Sequence, residues 1–311
     1  NGRFDIKIIS FNRTKDSEDM RMYTQPVLYP NKKEMCCDQN DSDFVVATYW
    51  TTAYYVSEMI KNNLKTIPLY FIQDYESWFY PESDKKTGFK ILNTYDLIKN
   101  KIVYSEWLKQ KISRHSNNVI KITPGINLDI FYPRGIKSKR VKRILGMARP
   151  STPRRGFDNM IKALKIIKEE HPYLEIAFFG PDDLKKYKIP FKYKNYGLLK
   201  EDALTKLYSS SDIFVEASLF HGLGLTGMEA MACGTACVLT DSGGPSEYAI
   251  NNENAILVQP GDTQQMVNAI SFLIKDDLAR ERLRQNGLET MNRYPIRNTA
   301  VEFEKILWSF I

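Results

Sequence analysis

Long hydrophobic runs are absent from this chain of 311 residues. Its longest apolar runs, such as 176–179 and 236–239, have the length of a buried strand. They fall far short of the roughly 20 apolar residues that span a bilayer. No signal peptide is visible at the start, so we expect a cytoplasmic protein.

Cysteine and histidine are also scarce, with four and three residues respectively. Cys36 and Cys37 are adjacent, while Cys233 and Cys237 bracket a predicted helix end and strand start. None of these spacings matches a zinc or other metal-ligand pattern. We therefore expect buried thiols and no metal site.

Positive charge is in modest excess, with a formal net charge of +7 that is concentrated in the first half of the chain. Such a surface could contact anionic lipids at the inner face of the membrane, although a solvated basic surface is the more frequent case. The basic residues are not interleaved with aromatic residues in a recognisable module. A nucleic-acid partner is therefore disfavoured.

What the chain does contain is a glycine-rich segment, 218–235, between a predicted buried strand at 212–217 and a predicted apolar helix from Met228. Its glycines are Gly222, Gly224 and Gly227. Free N–H groups at the start of such a helix bind anions, and Glu229 stands close enough to accept hydrogen bonds from hydroxyls. A nucleotide sugar meets both demands, although any α/β domain also places glycines at such turns.

Strand-like and helix-like segments alternate along both halves, a pattern typical of doubly wound α/β domains. The first half has predicted strands at 4–9, 44–47, 68–72, 101–104 and 119–123, predicted helices at 50–63 and 105–113, and a predicted loop at 12–43. The second half has predicted strands at 143–147, 174–179, 193–196, 212–217, 236–240 and 255–258, and predicted helices at 157–170, 200–209, 228–233, 263–275 and 278–291. The basic run 137–143 is predicted to be a linker.

Several motifs occur along the chain in the same order as in a known family. They are Arg149 with Arg155-Gly156, Gly197-Leu-Leu199, Ser218 to Glu229, Asp241-Ser-Gly-Gly-Pro-Ser-Glu247 and, more weakly, Pro124 to Pro133 with Ser105-Glu-Trp-Leu108. The chain resembles the retaining glycosyltransferases of family four, the glycosyl transferases group 1. Segment 70–81 is similar to rhamnosyltransferases that build cell-surface glycans.

The resemblance implies a GT-B fold, in which two Rossmann-like doubly wound parallel-sheet domains face a central cleft. It places an acceptor-side domain at 1–135, a nucleotide-sugar-binding domain at 136–295, and a C-terminal helix at 296–311 that returns to the first domain. The strand and Gly-Gly loop with which relatives usually start are not found before Phe4. The N-terminal domain is therefore expected to be truncated or reduced.

The resemblance also assigns site residues. The donor diphosphate would be held by Arg149, Arg155, Gly222, Leu223, Gly224, Leu225 and Thr226, with Arg154 as the alternative to Arg155. The base would lie against Gly197, Leu198 and Leu199. The catalytic set would be His221, Glu229, Asp74 and Gln73, with Glu229 accepting from the ribose hydroxyls and Asp74 and Glu76 contacting the acceptor.

Two of these positions depart from the family pattern. His221 replaces the first of two glutamates spaced eight residues apart, and Gln73 stands where many relatives have a histidine. Gln73 cannot act as a base. Such a site remains compatible with a retaining reaction in which the leaving phosphate takes the acceptor proton.

The resemblance thus implies a metal-independent hexosyltransferase without a cofactor. It would move a sugar from a nucleoside-diphosphate donor, with UDP or dTDP as the expected carrier, to a glycan or lipid-linked acceptor in polysaccharide biosynthesis. Peripheral contact with the inner face of the membrane would come through the acceptor and the basic first half. A non-catalytic nucleotide-sugar-binding homologue of the same fold is the alternative, followed by an epimerase or a phosphorylase.

Overall fold

The computed structural model describes residues 4–10, 24, 26–37, 42–61, 65–81, 83–135 and 140–311. Within those residues the strands are β1 (Ile9–Ser10), β2 (Val27–Leu28), β3 (Phe44–Ala47), β4 (Ile67–Ile72), β5 (Asn100–Val103), β6 (Val119–Lys121), β7 (Arg143–Met147), β8 (Glu175–Phe179), β9 (Lys194–Asn195), β10 (Ile213–Glu216), β11 (Ala236–Thr240) and β12 (Ile256–Val258).

The α-helices in the same residues alternate with these strands. They are α1 (Lys32–Cys37), α2 (Trp50–Met59), α3 (Lys85–Leu97), α4 (Glu106–Ile112), α5 (Phe157–Glu170), α6 (Glu201–Ser209), α7 (Leu225–Ala232), α8 (Thr263–Lys275), α9 (Asp277–Asn292) and α10 (Ile296–Trp308). None of the described helices is both long enough and apolar enough to cross a bilayer.

The second half forms a six-stranded sheet in the order β12-β11-β10-β7-β8-β9, and every neighbouring pair is parallel. The chain moves outward from β7 to β8 and β9, then returns to the other side of β7 to form β10. This reversal opens a crevice between the loops that follow β7 and β10. In open α/β sheets, ligands bind in such a crevice at the carboxyl ends of the strands.

The first half forms a four-stranded parallel sheet in the order β3-β4-β5-β6, beside the small pair β1-β2. Helix α10 packs on this sheet, with Leu307 in one apolar cluster with Leu69, Ile102 and Ile122. The hydroxyl of Thr299 donates to the carbonyl of Thr123 at 2.9 Å. The last helix therefore lies on the first sheet.

Local sequence explains where several helices form. On α5 the buried side chains recur every three or four residues, which places them on one face, while charged residues occupy the other. The buried set is Phe157, Met160, Ala163, Leu164 and Ile167. Ser105 is the N-cap of α4, because its Oγ accepts from the backbone N–H of Leu108 at 3.2 Å.

Most of the predicted elements are confirmed, but two predictions for the first forty residues were wrong. Strand character at 4–9 is limited to Ile9, and the predicted loop at 12–43 contains β2 and α1. Short amphipathic elements in polar surroundings give little periodicity, which explains the error. Residues 12–23, 25 and 38–41 of that interval, and 136–139 of the predicted linker, lie outside the described residues. The side chains of Cys36, Cys233 and Cys237 are buried, as predicted.

Candidate functional site

The crevice between β7 and β10 brings two of the predicted residues into contact. Arg155 closes the 3-10 turn after β7, and His221 lies in the loop after β10. Arg155 Nη1 is 2.6 Å from Nε2 and 3.2 Å from Nδ1 of His221. Burial, followed by the charges of Arg155 and Arg154, holds the pKa of His221 well below its usual value. The imidazole is therefore neutral and accepts a hydrogen bond from the guanidinium.

Three guanidinium groups converge at this point. Burial, followed by the charges of Arg155 and Arg149, lowers the pKa of Arg154 to about 10. Burial, and to a smaller extent the charge of Arg149, lowers the pKa of Arg155. The Nε atoms of Arg154 and Arg155 are buried and have no hydrogen-bond partner within the described chain. Like charges with unused donors at one point are suited to holding an anion.

Asp74 enters the same site from the first sheet, just beyond the end of β4. Its Oδ2 accepts from Arg154 Nη1 at 3.1 Å, and both side chains are largely buried. Burial raises the pKa of Asp74, and the guanidinium of Arg154 opposes that rise. Asp74 therefore pairs with one arginine of the cluster, while Arg155 turns to His221.

The chain approaches closely on the other side of Asp74. A Cβ added to Gly222 would lie 2.3 Å from the carbonyl oxygen of Gln73 and 2.9 Å from Asp74 Cα. The side chain of Gln73 is exposed and donates to the carbonyl of Thr48 at 3.3 Å. The loop that follows β10 can therefore meet the first sheet only because residue 222 carries no side chain.

Helix α7 begins at this loop, three residues earlier than predicted. Gly224 is its N-cap with φ of 86°, and Leu225 and Thr226 occupy the first turn, where N–H groups lack intrahelical partners. Leu223 is buried and Leu225 is exposed. Thr226 Oγ1 is buried and meets no hydrogen-bonding group among the described residues. An anion at the helix start would meet these groups.

Glu229 lies one turn further along α7. Its Oε2 accepts from the hydroxyl of Tyr208 at 2.9 Å. Burial raises the pKa of Glu229 to about 7, and the Tyr208 hydroxyl opposes that rise. The carboxyl group therefore changes charge near neutral pH, and its Oε2 is held by the Tyr208 hydroxyl.

The predicted base-binding segment lies after β9, at the far edge of the six-stranded sheet. Gly197 has φ of 66°, and its carbonyl accepts from the N–H of Gly180 at 2.9 Å. Leu198 is 70% exposed, whereas Leu199 packs against the core. The exposed side chain of Leu198 offers an apolar surface for a planar ring.

Glu216 is a site residue that the sequence analysis missed. It ends β10, is 3% exposed, and accepts from the backbone N–H of Ser218 at 3.1 Å. Burial raises the pKa of Glu216, and the charge of Arg155 opposes that rise. A carboxylate inside a predicted buried strand is unusual without a partner, and this was the signal available in the sequence.

Glu247, at the end of the Asp241 to Glu247 motif, joins the two sheets. Its Oε2 lies 2.7 Å from Lys121 Nζ, and its Oε1 accepts from the N–H of Glu106 at 2.5 Å. Glu106 is the first residue of α4. The motif predicted for the ligand site thus contacts a helix start on the opposite side of the crevice.

Solved structures share this arrangement of two parallel sheets. Sucrose-phosphate synthase from Thermosynechococcus elongatus has a TM-score of 0.76 at 19% identity, over 88% of this chain and 74% of that one. HepE from Anabaena, in complex with UDP and glucose, has a TM-score of 0.76 at 16% identity, over 90% of this chain and 81% of that one. The predicted GT-B fold, with its Rossmann-like domains, is therefore confirmed.

The sequence comparison narrows the class to a family. The model of the glycosyl transferases group 1 matches residues 132–290, just over half of the chain, so the chain belongs to that family. Sulfoquinovosyl transferase SQD2 of Arabidopsis thaliana is 28% identical over 198 residues, 60% of this chain and 39% of that protein. O-antigen biosynthesis protein RfbC of Myxococcus xanthus is 26% identical over 254 residues, which cover 81% of this chain and 20% of that protein. The chain thus spans well under half the length of these relatives.

Proposed function

We propose that this chain transfers a sugar, with retention and without a metal, from a nucleoside-diphosphate donor to a glycan or lipid-linked acceptor. The observation that carries the proposal is the cluster of Arg149, Arg154 and Arg155 at the reversal of strand order. A departing diphosphate develops negative charge, and fixed cations and N–H donors stabilise it. We also propose that the acceptor-side domain ends at residue 135 and that the nucleotide-sugar-binding domain ends at residue 295.

The donor would extend along the carboxyl edge of the six-stranded sheet. Its base would lie by Gly197 to Leu199 after β9, and its diphosphate by Arg149 and Arg155 after β7. The start of α7 would supply N–H groups and the unpartnered hydroxyl of Thr226. Glu229 would accept from the ribose. HepE, which was solved with UDP and with UDP-glucose, supports UDP as the first carrier to test.

His221 would lie beside the donor sugar. Because its imidazole is neutral, it can accept a hydrogen bond or donate one, but it does not replace the charge of a glutamate. In the proposed reaction the bond between the sugar and the diphosphate breaks, and the acceptor oxygen bonds to the same carbon from the same face. The leaving phosphate takes the acceptor proton, so no side chain is required as a base.

A thermal-shift screen tests donor binding. The chain would be heated with UDP, dTDP, GDP and ADP in EDTA, beside Arg149→Ala and Glu229→Ala. The exposed Arg282→Ala on α9 is the matched control. We expect one nucleotide to raise the midpoint of the parent and of the control, and to lose most of that effect on the two site variants, since a ligand of the native state alone stabilises it.

Product formation from labelled nucleotide sugars separates transfer from binding alone. A chain that binds the nucleotide saturably, and forms neither transfer nor hydrolysis product, would be the non-catalytic homologue. No shift with any of the four nucleotides would overturn the donor site itself.

A further inference from the structure

A cavity of about 520 Å³ lies beyond the sugar end of the proposed donor site. The strand order fixes this direction. The base segment follows β9 at one edge, the arginines follow β7 in the middle, and His221 follows β10. The cavity includes Asp241 and Ser242, which follow β11, the next strand beyond β10. A group bound there would meet the donor sugar end-on.

Aromatic rings from both sides of the crevice line this cavity. Trp78 and Trp107 come from the first half and Phe220 from the loop after β10. The ring of Trp78 lies 4.7 Å from that of Phe220 and 6.0 Å from that of Trp107, measured between centroids. Trp78 is nevertheless 42% exposed. Rings of this kind offer rigid apolar surface to a ligand at low cost in side-chain entropy.

Polar groups suited to hydroxyls surround the rings. Glu106 and Gln110 stand four residues apart on α4, so both lie on one helix face and both line the cavity. Asp241 lines the opposite wall. Ser242 is 4% exposed, and its buried Oγ has no hydrogen-bond partner in the described residues. Carboxylates accept hydrogen bonds, and an amide or a hydroxyl both donates and accepts.

The charge of the lining selects against anions. Glu106 and Asp241 contribute two carboxylates, and the carboxylate of Glu247 is already bound by Lys121. Lys111 lies 4.5 Å from the centre of the Trp78 ring, where the ring face holds it. A phosphate or carboxylate in the cavity would meet like charge. A purely apolar chain would leave the polar lining unpaired.

We propose that this cavity, formed by Trp78, Trp107, Phe220 and the polar groups of Glu106, Gln110 and Asp241, binds the acceptor, and that the acceptor is a neutral saccharide. The assignment to an acceptor rests on the proposed function. A saccharide combines what the lining requires, because its C–H face packs on aromatic rings while its hydroxyls meet carboxylate and amide groups. The volume lies within the usual range of roughly 300–1,000 Å³ for small-molecule sites.

Saccharide binding can be measured without any turnover. The probes are the methyl glycosides of glucose, galactose, mannose and rhamnose, beside glucose 6-phosphate and glucuronate, each titrated by saturation-transfer NMR with and without UDP. We expect at least one neutral glycoside to bind, and both anionic sugars to bind at least tenfold more weakly.

Two variants locate the binding. Trp78→Ala should raise the dissociation constant of the bound glycoside at least tenfold, and Gln110→Ala about threefold. Trp308→Ala, which removes a half-exposed tryptophan from α10, is the matched control and should change nothing. Trp107 is left intact because its ring packs on Gly243, where an added Cβ would lie 2.5 Å from it.

The outcome distinguishes this inference from the proposed function. The cavity assignment is overturned if no neutral glycoside binds, if Trp78→Ala binds as the parent does, or if the anionic sugars bind equally well. UDP-induced thermal stabilisation should be the same in Trp78→Ala, Gln110→Ala and the parent. A chain that binds glycosides at Trp78 but no nucleotide would overturn the donor site and leave a saccharide site.

Discussion

Glu229 is a single residue whose titration should be visible in nucleotide binding. Burial raises its pKa to about 7, and only the ionised carboxylate can accept hydrogen bonds from ribose hydroxyls through both oxygens. We expect UDP to bind up to about tenfold more weakly at pH 6 than at pH 8, by calorimetric titration. The deoxygenated analogue 2′,3′-dideoxy-UDP carries the same phosphates and should show a smaller change. Equal pH profiles for the two nucleotides would show that Glu229 does not accept hydrogen bonds from the ribose hydroxyls.

The raised pKa of Glu229 should also make the free energy of unfolding depend on pH. The folded state keeps the Glu229 proton to about pH 7, whereas the unfolded chain releases it near 4.5. The unfolded chain therefore holds fewer protons in that window, and the free energy of unfolding falls as pH rises through it. We expect urea titrations at pH 5 and pH 8 to show a smaller fall for Glu229→Gln than for the parent. An equal fall would show that the pKa of Glu229 is not raised.

The division of labour between Arg154 and Arg155 could not be read from the sequence. Both residues lie in one short turn, and either could have faced a phosphate. What separates them is contact with distant residues, since Asp74 arrives from the first sheet to meet Arg154 and His221 lies against Arg155. A local sequence motif does not show which distant residues will contact it. The motif therefore predicts the site but not the contacts of each arginine within it.

Among the elements, the turn before α5 should tolerate no side chain at Gly156. Its φ is 64°, and an added Cβ would lie 1.9 Å from the carbonyl oxygen of Ala217 in the neighbouring strand loop. We expect Gly156→Ala to lower the free energy of unfolding by about 2–3 kcal/mol in urea. Gly88→Ala, within α3, meets no atom within 4 Å and should raise it by about 0.5–1 kcal/mol. Equal effects would show that the two backbones are equally permissive.

Prediction of elements succeeded in the second half because its strands are fully buried and its helices carry one apolar face. Strands β7 and β11 and helices α5 and α8 have the predicted bounds. Helix α3 was missed, although Asp84 caps its start by accepting from the N–H of Thr87. Its buried residues are few, and Phe89 and Leu97 are exposed, so the periodicity was weak. The large cavity was also missed, because its lining is drawn from several separate segments.

The two sheets are held together by contacts that can be tested as a pair. The ion pair of Lys121 and Glu247 joins β6 to the turn after β11. We expect Lys121→Met and Glu247→Gln to show a coupling energy of about 0.5–1 kcal/mol in a double-mutant cycle of urea unfolding. The exposed pair of Lys165 and Glu169 on α5 should show less. If the effects of the two substitutions on the free energy of unfolding simply add, the ion pair of Lys121 and Glu247 does not stabilise the fold.

Helix α10 should contribute to the stability of a sheet that is far from it in sequence. Leu307 is 7% exposed in the cluster with Leu69 and Ile102, whereas Val301 on the same helix is 50% exposed. We expect Leu307→Ala to cost about 2–4 kcal/mol of unfolding free energy, and Val301→Ala less than about 0.5 kcal/mol. Similar values for both would mean that the helix is only loosely attached.

The position of α10 also has a consequence during synthesis. The face of the first sheet that carries Leu69, Ile102 and Ile122 receives its cover from residues at the end of the chain. A ribosome adding 5–20 residues per second needs roughly 10–40 s to reach them after Ile122. For that time the nascent first half presents an open apolar surface, and a chaperone that shields such surfaces should raise the yield of folded chain.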